Sequence, residues 1–257
     1  MFFSLLRRSA VWLCTGVALT LTIQAQAGVV LNTTRVIYPA TDKEVSLQVH
    51  NTGTSEILAQ SWLEASNDTP SAPGASTVAS PLFIITPGLA RMAGDAKQLI
   101  RIIYAGDGLA SDRESVLWLN VQEIPQTARE NELQIAIRQR IKLFYRPQGL
   151  TEDPLKAAQS LQWQVRGGQL EVFNPGPYHV SLIKLAASNQ GQVVFQEDSH
   201  MIAPKTRQQW SLKAVNRTGA LDLSFISIND FGGQEPYRVK VSGDRTTQAS
   251  KADSFSD

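Results

Sequence analysis

The chain of 257 residues contains one cysteine and three histidines, and its charge is nearly balanced, with 24 Lys plus Arg against 23 Asp plus Glu. Each scarcity excludes something. A near-zero net charge, with no single-sign block of five or more, is not the footprint of a nucleic-acid or polyanion binder. One thiol cannot form an internal disulfide, so stability has to come from packed cores. His50, His179 and His200 lie far apart, and no His-Glu-x-x-His pair, paired-cysteine zinc spacing or calcium-loop register is present. Each histidine is expected to face solvent at or near a strand end. Gly167-Gly168 and Gly232-Gly233 lack the spacing and the following helix that a phosphate cradle requires. Aromatic residues alternate with aliphatics rather than with Lys and Arg, which argues against a stacking platform for single-stranded nucleic acid. No cofactor, no metal site and no enzymatic constellation is expected.

Long apolar runs are equally scarce. Arg7 and Arg8 precede the apolar stretch Ala10 to Leu19, and Ala25-Gln-Ala27 supplies a small-x-small cleavage pattern. Residues 1–27 therefore read as a secretory signal peptide cleaved before Gly28. That stretch is too short for a membrane span, and no later one approaches the ~20 apolar residues a span requires. The exported chain is expected to insert into no membrane. Cleavage removes Cys14 together with two arginines, leaving a cysteine-free chain whose formal charge falls from +1 to −1.

What is present is a period of two. Val45 to Val49, Ile57 to Leu63, Phe83 to Ile85, Gln98 to Tyr104 and Ser115 to Val121 place alternate apolar residues on one face. Polar breaks such as Asn51-Thr-Gly53 separate them. After Pro147 the pattern resumes in Leu161 to Val165, Gln169 to Phe173, His179 to Leu185, Gln192 to Phe195, Gln208 to Leu212, Leu221 to Ile228 and Tyr237 to Val241. Arg166-Gly-Gly168 reads as a hairpin turn, and Asp153 to Ser160 as a turn of helix. Many short strands with polar turns predict an all-β chain of sandwich or barrel type. The expected units are residues 28–147, residues 148–245 and a polar tail, 246–257, with nothing obvious to pack.

One strand candidate is too long for an ordinary sandwich. Leu133-Gln-Ile-Ala-Ile-Arg-Gln-Arg-Ile-Lys-Leu-Phe-Tyr145 would extend roughly 40 Å at ~3.3 Å per residue, about twice a typical strand. One parity holds Leu133, Ile135, Ile137, Gln139, Ile141, Leu143 and Tyr145; the other holds Arg138, Arg140 and Lys142. A long core strand with a charged solvent face is one reading. The sharper one is a strand whose first half offers an aliphatic row and an open backbone edge to another protein. Leu133, Ile135 and Ile137 carry none of the charges, bulges or prolines that normally protect an edge.

With that strand in view, the sequence resembles the periplasmic chaperones that assemble pili and fimbriae by the chaperone–usher route. The agreement covers nearly all of residues 28 to 245. Its most specific piece is Leu133 to Pro147, supported by Thr34-Arg35, Thr86-Pro87, Asp112 to Pro125 and Asn229-Asp-Phe-Gly-Gly233. The resemblance implies two immunoglobulin-like β-sandwich domains in a boomerang with a cleft between them, working in the periplasm. It implies that pilus subunits, each a sandwich lacking its last strand, borrow one from this chain and are delivered to an outer-membrane usher. Leu133, Ile135 and Ile137 match the donor residues, and Arg35 and Lys142 match the basic pair that anchors the subunit's C-terminal carboxylate. Glu114, Arg146 and Asp230 match a charged network across the domain interface. Gly88 replaces a second proline frequent after Thr86-Pro87, and the brief Gln126 to Asn131 segment resembles the short-loop subgroup. The sequence leaves self-association of the unliganded chain open. An exported two-domain carbohydrate-binding or adhesive protein is the rival reading.

Overall fold

The computed structural model describes residues 28–65, 82–106, 108–126, 134–213, 220–243 and 245–252. The expected leader, residues 1–27, lies outside them. The described chain is all-β apart from one helical turn, Pro154 to Ser160, and forms four antiparallel-dominated sheets. The first group of strands is β1 (Val29–Leu31), β2 (Arg35–Pro39), β3 (Val45–Asn51), β4 (Ile57–Ala65), β5 (Phe83–Thr86), β6 (Leu89–Met92), β7 (Lys97–Tyr104), β8 (Ser115–Pro125) and β9 (Arg138–Arg146). They make a sandwich of the sheets β1-β3-β7-β5 and β2-β9-β8-β4-β6. The second group is β10 (Gln162–Arg166), β11 (Gln169–Phe173), β12 (Val180–Asn189), β13 (Gln192–Ile202), β14 (Arg207–Ser211), β15 (Leu221–Ile228), β16 (Gln234–Val241), β17 (Thr247–Gln248) and β18 (Ser250–Lys251). Its sheets are β14-β11-β10-β17 and β13-β12-β15-β16-β18.

Each sandwich has its own core, drawn from the inward parity of its strands. Leu47, Val49, Ile100, Ile102, Leu119 and Leu143 are buried in the first, and Trp163, Leu170, Leu182, Leu185, Phe225 and Tyr237 in the second. Full burial of one such aliphatic side chain stabilises by roughly 1.5–3 kcal/mol. Between β10 and β11, Arg166 faces Gln169 across Gly167 and Gly168, both with positive φ (60° and 83°). That two-residue turn matches the right-handed twist of the flanking strands and needs two residues free of a β-carbon penalty.

The decisive topological event is a change of sheet by the first segment. β1 pairs with β3 in one sheet; the chain then crosses at 32–34, and β2 runs parallel to β9 in the other. Its register sets Arg35 opposite Lys142 and ends with Pro39 opposite Arg146.

The structure corrects two expectations about strand extent. The long strand begins at Arg138 rather than Leu133. Its ladder with β8 runs to the pair Gln122–Arg138, and Glu123 N–H still donates to the Ile137 carbonyl at 2.9 Å. The next amide in phase belongs to Pro125, which has no N–H, so regular pairing stops there. The polar tail is also not frayed over its first part. β17 pairs with β10 and β18 with β16, and Ala249 between them is buried, so residues up to 252 belong to the second sandwich.

Two buried asparagines tie down the same corner of each sandwich. Asn51 Nδ2 donates to the carbonyls of Ser55 (2.9 Å) and Ala93 (2.9 Å), while its Oδ1 accepts from Gly53 N–H (3.0 Å). Asn174 repeats the pattern, with Nδ2 donating to Tyr178 (2.7 Å) and Ala203 (3.2 Å) and Oδ1 accepting from Gly176 N–H (3.1 Å). Truncation of either would leave buried carbonyls without donors. Asn51→Ala and Asn174→Ala are each expected to destabilise their own domain by about 1–3 kcal/mol, measurable as a shift in the urea midpoint at unchanged m-value.

Candidate functional site

The parity of β9 divides at a single point. Leu143 and Tyr145 are fully or nearly buried in the first sandwich, whereas Ile137 and Ile135, on the same parity, are 45% and 67% exposed. Both halves follow one alternating pattern, yet only one has a core to enter. The backbone divides in the same way. β9 lies between β2 and β8, but β2 covers only Lys142 to Arg146. Over 138–141 the edge away from β8 has no strand partner among the described residues. Leu133 lies outside the described residues, as does most of the segment after Gln126.

The opposite parity of β9 forms a ladder of cations on tryptophans. The guanidinium of Arg138 stands 5.0 Å from the Trp62 ring centre, and that of Arg140 stands 4.0 Å from Trp118. Glu64 accepts from Arg138 at 2.6 Å and faces Arg140 at 3.4 Å. Such contacts are worth about 0.5–1 kcal/mol each at exposed sites, and together they hold the charged face of the strand outward.

At the base of the strand the two sandwiches meet. Arg35 is 8% exposed and sends one guanidinium nitrogen to the Ile228 carbonyl of the second sandwich at 2.8 Å. Its Nε is buried without a hydrogen-bond partner among the described residues. Burial lowers the pKa of Arg35 and Arg146 repels it, against the attraction of Asp230 and Glu114. An added anion would therefore be welcome. Lys142 reaches across to Ser181, with Nζ 3.2 Å from Oγ and 5.8 Å from the Trp118 ring centre. It lines a cleft of about 570 Å³ with Trp118 on one side and Ser181, Ser199, His200 and Thr206 on the other.

Behind that cleft lies the charged network. Arg146 grips Asp230 with two parallel bonds of 2.7 Å and donates from Nε to Glu114 Oε2 at 2.7 Å. The guanidinium also lies 5.0 Å from the Tyr178 ring centre. Burial alone works against the charge of Arg146, but the bonds and fields of Asp230 and Glu114 outweigh it and push its pKa above the ordinary arginine value. The expected trio Glu114, Arg146 and Asp230 is thus brought together, joining the residue before β8 and the end of β9 to the loop after β15.

A fourth member was not foreseen. His179, expected to face solvent, has a side chain only 2% exposed beside Glu114, itself 1% exposed. Glu114 Oε1 accepts from both the His179 backbone N–H and its Nδ1, each at 2.9 Å. A carboxylate can only accept here, so Nδ1 carries the proton. The position just after the rigid Asn174-Pro-Gly-Pro177 turn was the one signal available. His50 and His200 are half-buried, paired with Asp95 and Glu197.

The described chain is thus two sandwiches joined by a buried ion network, with one strand half committed to its own core and half open. Comparisons with known proteins place it. Residues 28–151 match the model described as "Pili and flagellar-assembly chaperone, PapD N-terminal domain", and residues 156–239 match "Pili assembly chaperone PapD, C-terminal domain". The chain is 40% identical to the chaperone protein FimB/FhaD of Bordetella pertussis, over 84% of this chain and 89% of the relative. The crystal structure of the YadV chaperone superposes with a TM-score of 0.69 at 35% identity, covering 83% of this chain and all of that one. A Salmonella enterica SafB chaperone, solved in complex with the SafA pilin, has a TM-score of 0.67 at 26% identity, over 83% of this chain and 96% of its own. The chain belongs to the periplasmic pilus-assembly chaperone family. It is a periplasmic chaperone for pilus subunits, acting by donor-strand complementation and delivering them to an usher.

Removal of Glu114 would leave Arg146 with one acceptor fewer and His179 with none. Breaking one partner out of a buried charge network costs about 3–5 kcal/mol. Glu114→Ala is expected to uncouple the two sandwiches, seen as separation of a single calorimetric transition into two.

Proposed function

We propose that the strand lent to the pilus subunit is Leu133 to Ile137 with the open edge of β9, and that Arg35 and Lys142 together hold the subunit's terminal carboxylate. The exposed half of the β9 parity carries this reading: Ile135 and Ile137 continue the row that Leu143 and Tyr145 spend inside, along an edge that no described strand covers. Backbone bonds along that edge supply affinity with little demand on sequence, and pockets for alternate side chains set the register. Arg35 and Lys142 are opposite one another in the β2–β9 register, at the point where the open edge ends. A carboxylate seated there would fix one end of the incoming strand by charge-assisted hydrogen bonds. The buried, unpartnered Nε of Arg35 supports the role. The charged network of Glu114, Arg146 and Asp230 keeps the second sandwich in place behind the anchor, and in the absence of a subunit the open edge is available to a second copy of the chain.

The two parts of the site are separable by experiment. Arg35→Ala or Lys142→Ala is expected to weaken binding of a purified subunit by about 2–5 kcal/mol, with an unchanged far-UV spectrum. Unchanged affinity would remove that residue from the anchor. Ile135→Asp places a charge where the subunit offers hydrocarbon and is expected to weaken binding at least about tenfold. Because Ile135 touches little of its own chain, the melting temperature of the free protein should move by no more than a few degrees. A large thermal loss with binding preserved would reassign Ile135 to the chain's own core, and sedimentation of the same variant tests whether the edge also mediates self-association.

A further inference from the structure

The end of the first sandwich nearest the donor segment contains a buried acid that the chaperone function does not use. Glu123, on β8, is 9% exposed. Among the described residues, the hydrogen bond to its carboxylate comes from the Val29 N–H, at 3.2 Å to Oε2, and no basic side chain pairs with it. A carboxylate buried in this way is unfavourable unless a cation or further donors meet it. What meets it is Gly28. A β-carbon on Gly28 would fall within 2.5 Å of both carboxylate oxygens, so the Gly28 backbone lies directly against the Glu123 carboxylate. Gly28 is held there firmly. Its carbonyl accepts from the Thr52 N–H at 2.8 Å and the Thr52 hydroxyl at 2.9 Å, and Val29 pairs with Asn51.

We propose that removal of the leader converts Gly28 into an α-ammonium group that pairs with the Glu123 carboxylate, so that processing itself completes this end of the sandwich. The proposal rests on the reading of residues 1–27 as a leader cleaved after Ala27. Hydrolysis of the Ala27–Gly28 amide takes up one water and leaves a carboxylate on Ala27 and an ammonium on Gly28. An α-amino group ordinarily titrates near about 8, so it is charged at neutral pH. Before cleavage the same nitrogen is a neutral amide and Glu123 has no cation. The consequence reaches the functional strand. Gln139 of β9 donates from Nε2 to the Val29 carbonyl at 2.6 Å, and Glu123 itself donates its N–H to Ile137. Fixing Gly28 and Val29 therefore fixes the supports of the open edge, and a precursor still carrying its leader lacks that fixation.

The test uses four full-length proteins. Mass spectrometry of the exported chain comes first: a start at Gly28 is expected, and any other start overturns the cleavage reading and the proposal with it. Calorimetry then compares the processed chain with one that retains Ala25-Gln-Ala27 ahead of Gly28, each with Glu123 and with Glu123→Gln. Three retained residues move the charge about 10 Å along an extended chain. With Glu123 present, the extension is expected to lower the melting temperature of the first sandwich by roughly 4–8 °C. With Glu123→Gln it is expected to have little effect, because the amide neither needs nor attracts the ammonium. A start at Gly28 with equal shifts in both backgrounds, or with no shift in either, would overturn the ion pair while leaving the cleavage reading intact.

Discussion

The parallel pairing of β2 on β9 is the constraint on which the rest of the site depends, and its most important property is where it stops. β2 covers Lys142 to Arg146 and no more. On the covered side β9 is an interior strand, its apolar parity packed in the core and its charges held by the second sandwich. On the uncovered side it is an edge, with the same parity turned to solvent. The boundary falls at the register pair Arg35–Lys142, so two cations stand where the strand's own partner ends. A sheet that had paired β2 along the whole of β9 would have left no open edge on that strand.

Electrostatics hold the cleft in shape at some expense to each domain considered singly. Burying Arg35, Glu114, Arg146 and the His179 ring removes four polar groups from water, and only dense mutual bonding offsets the loss. The bonding is uneven. Arg146 is gripped bidentately and by a second carboxylate, whereas Arg35 has one hydrogen bond to a carbonyl and a buried nitrogen left over. The first arrangement suits a permanent joint between domains. The second suits a group whose full set of partners includes an incoming ligand.

Much of this was legible in the chain. Period-two alternation located β3, β4, β7, β8, β11 and β15 to within a few residues, because each has one face in a core and one in water. The parity split of residues 133–145 was legible for the same reason. The start of β9 was not, since alternation marks which face a residue would take and says nothing about where a neighbouring strand runs out; here Pro125, on a different strand, decides it. β1, β2 and β6 are short and carry too few alternations to register. β17 and β18 exist because sheet edges were available at Gln162 and Tyr237, a fact of tertiary structure. The burial of His179 likewise depends on Glu114, 65 positions away. Asn51-x-Gly53 and Asn174-x-Gly176 were read as turns, and each asparagine proves to be a buried brace as well.

The cation–tryptophan ladder on the outer side of β9 has a consequence for fidelity. In a strand, moving the pairing by one residue exchanges the two faces completely. With residues 133–137 as the proposed lent segment, a groove that slid by one position would meet Gln134, Ala136 and Arg138 in place of Leu133, Ile135 and Ile137. The Arg138 guanidinium is already satisfied by Trp62, Asn120 and Glu64, and would have to leave them for hydrocarbon. On that proposal the strand behaves like a key cut on one edge only: a misaligned insertion jams on its charged side and backs out, and error rejection is built into a side of the blade that the correct lock never touches.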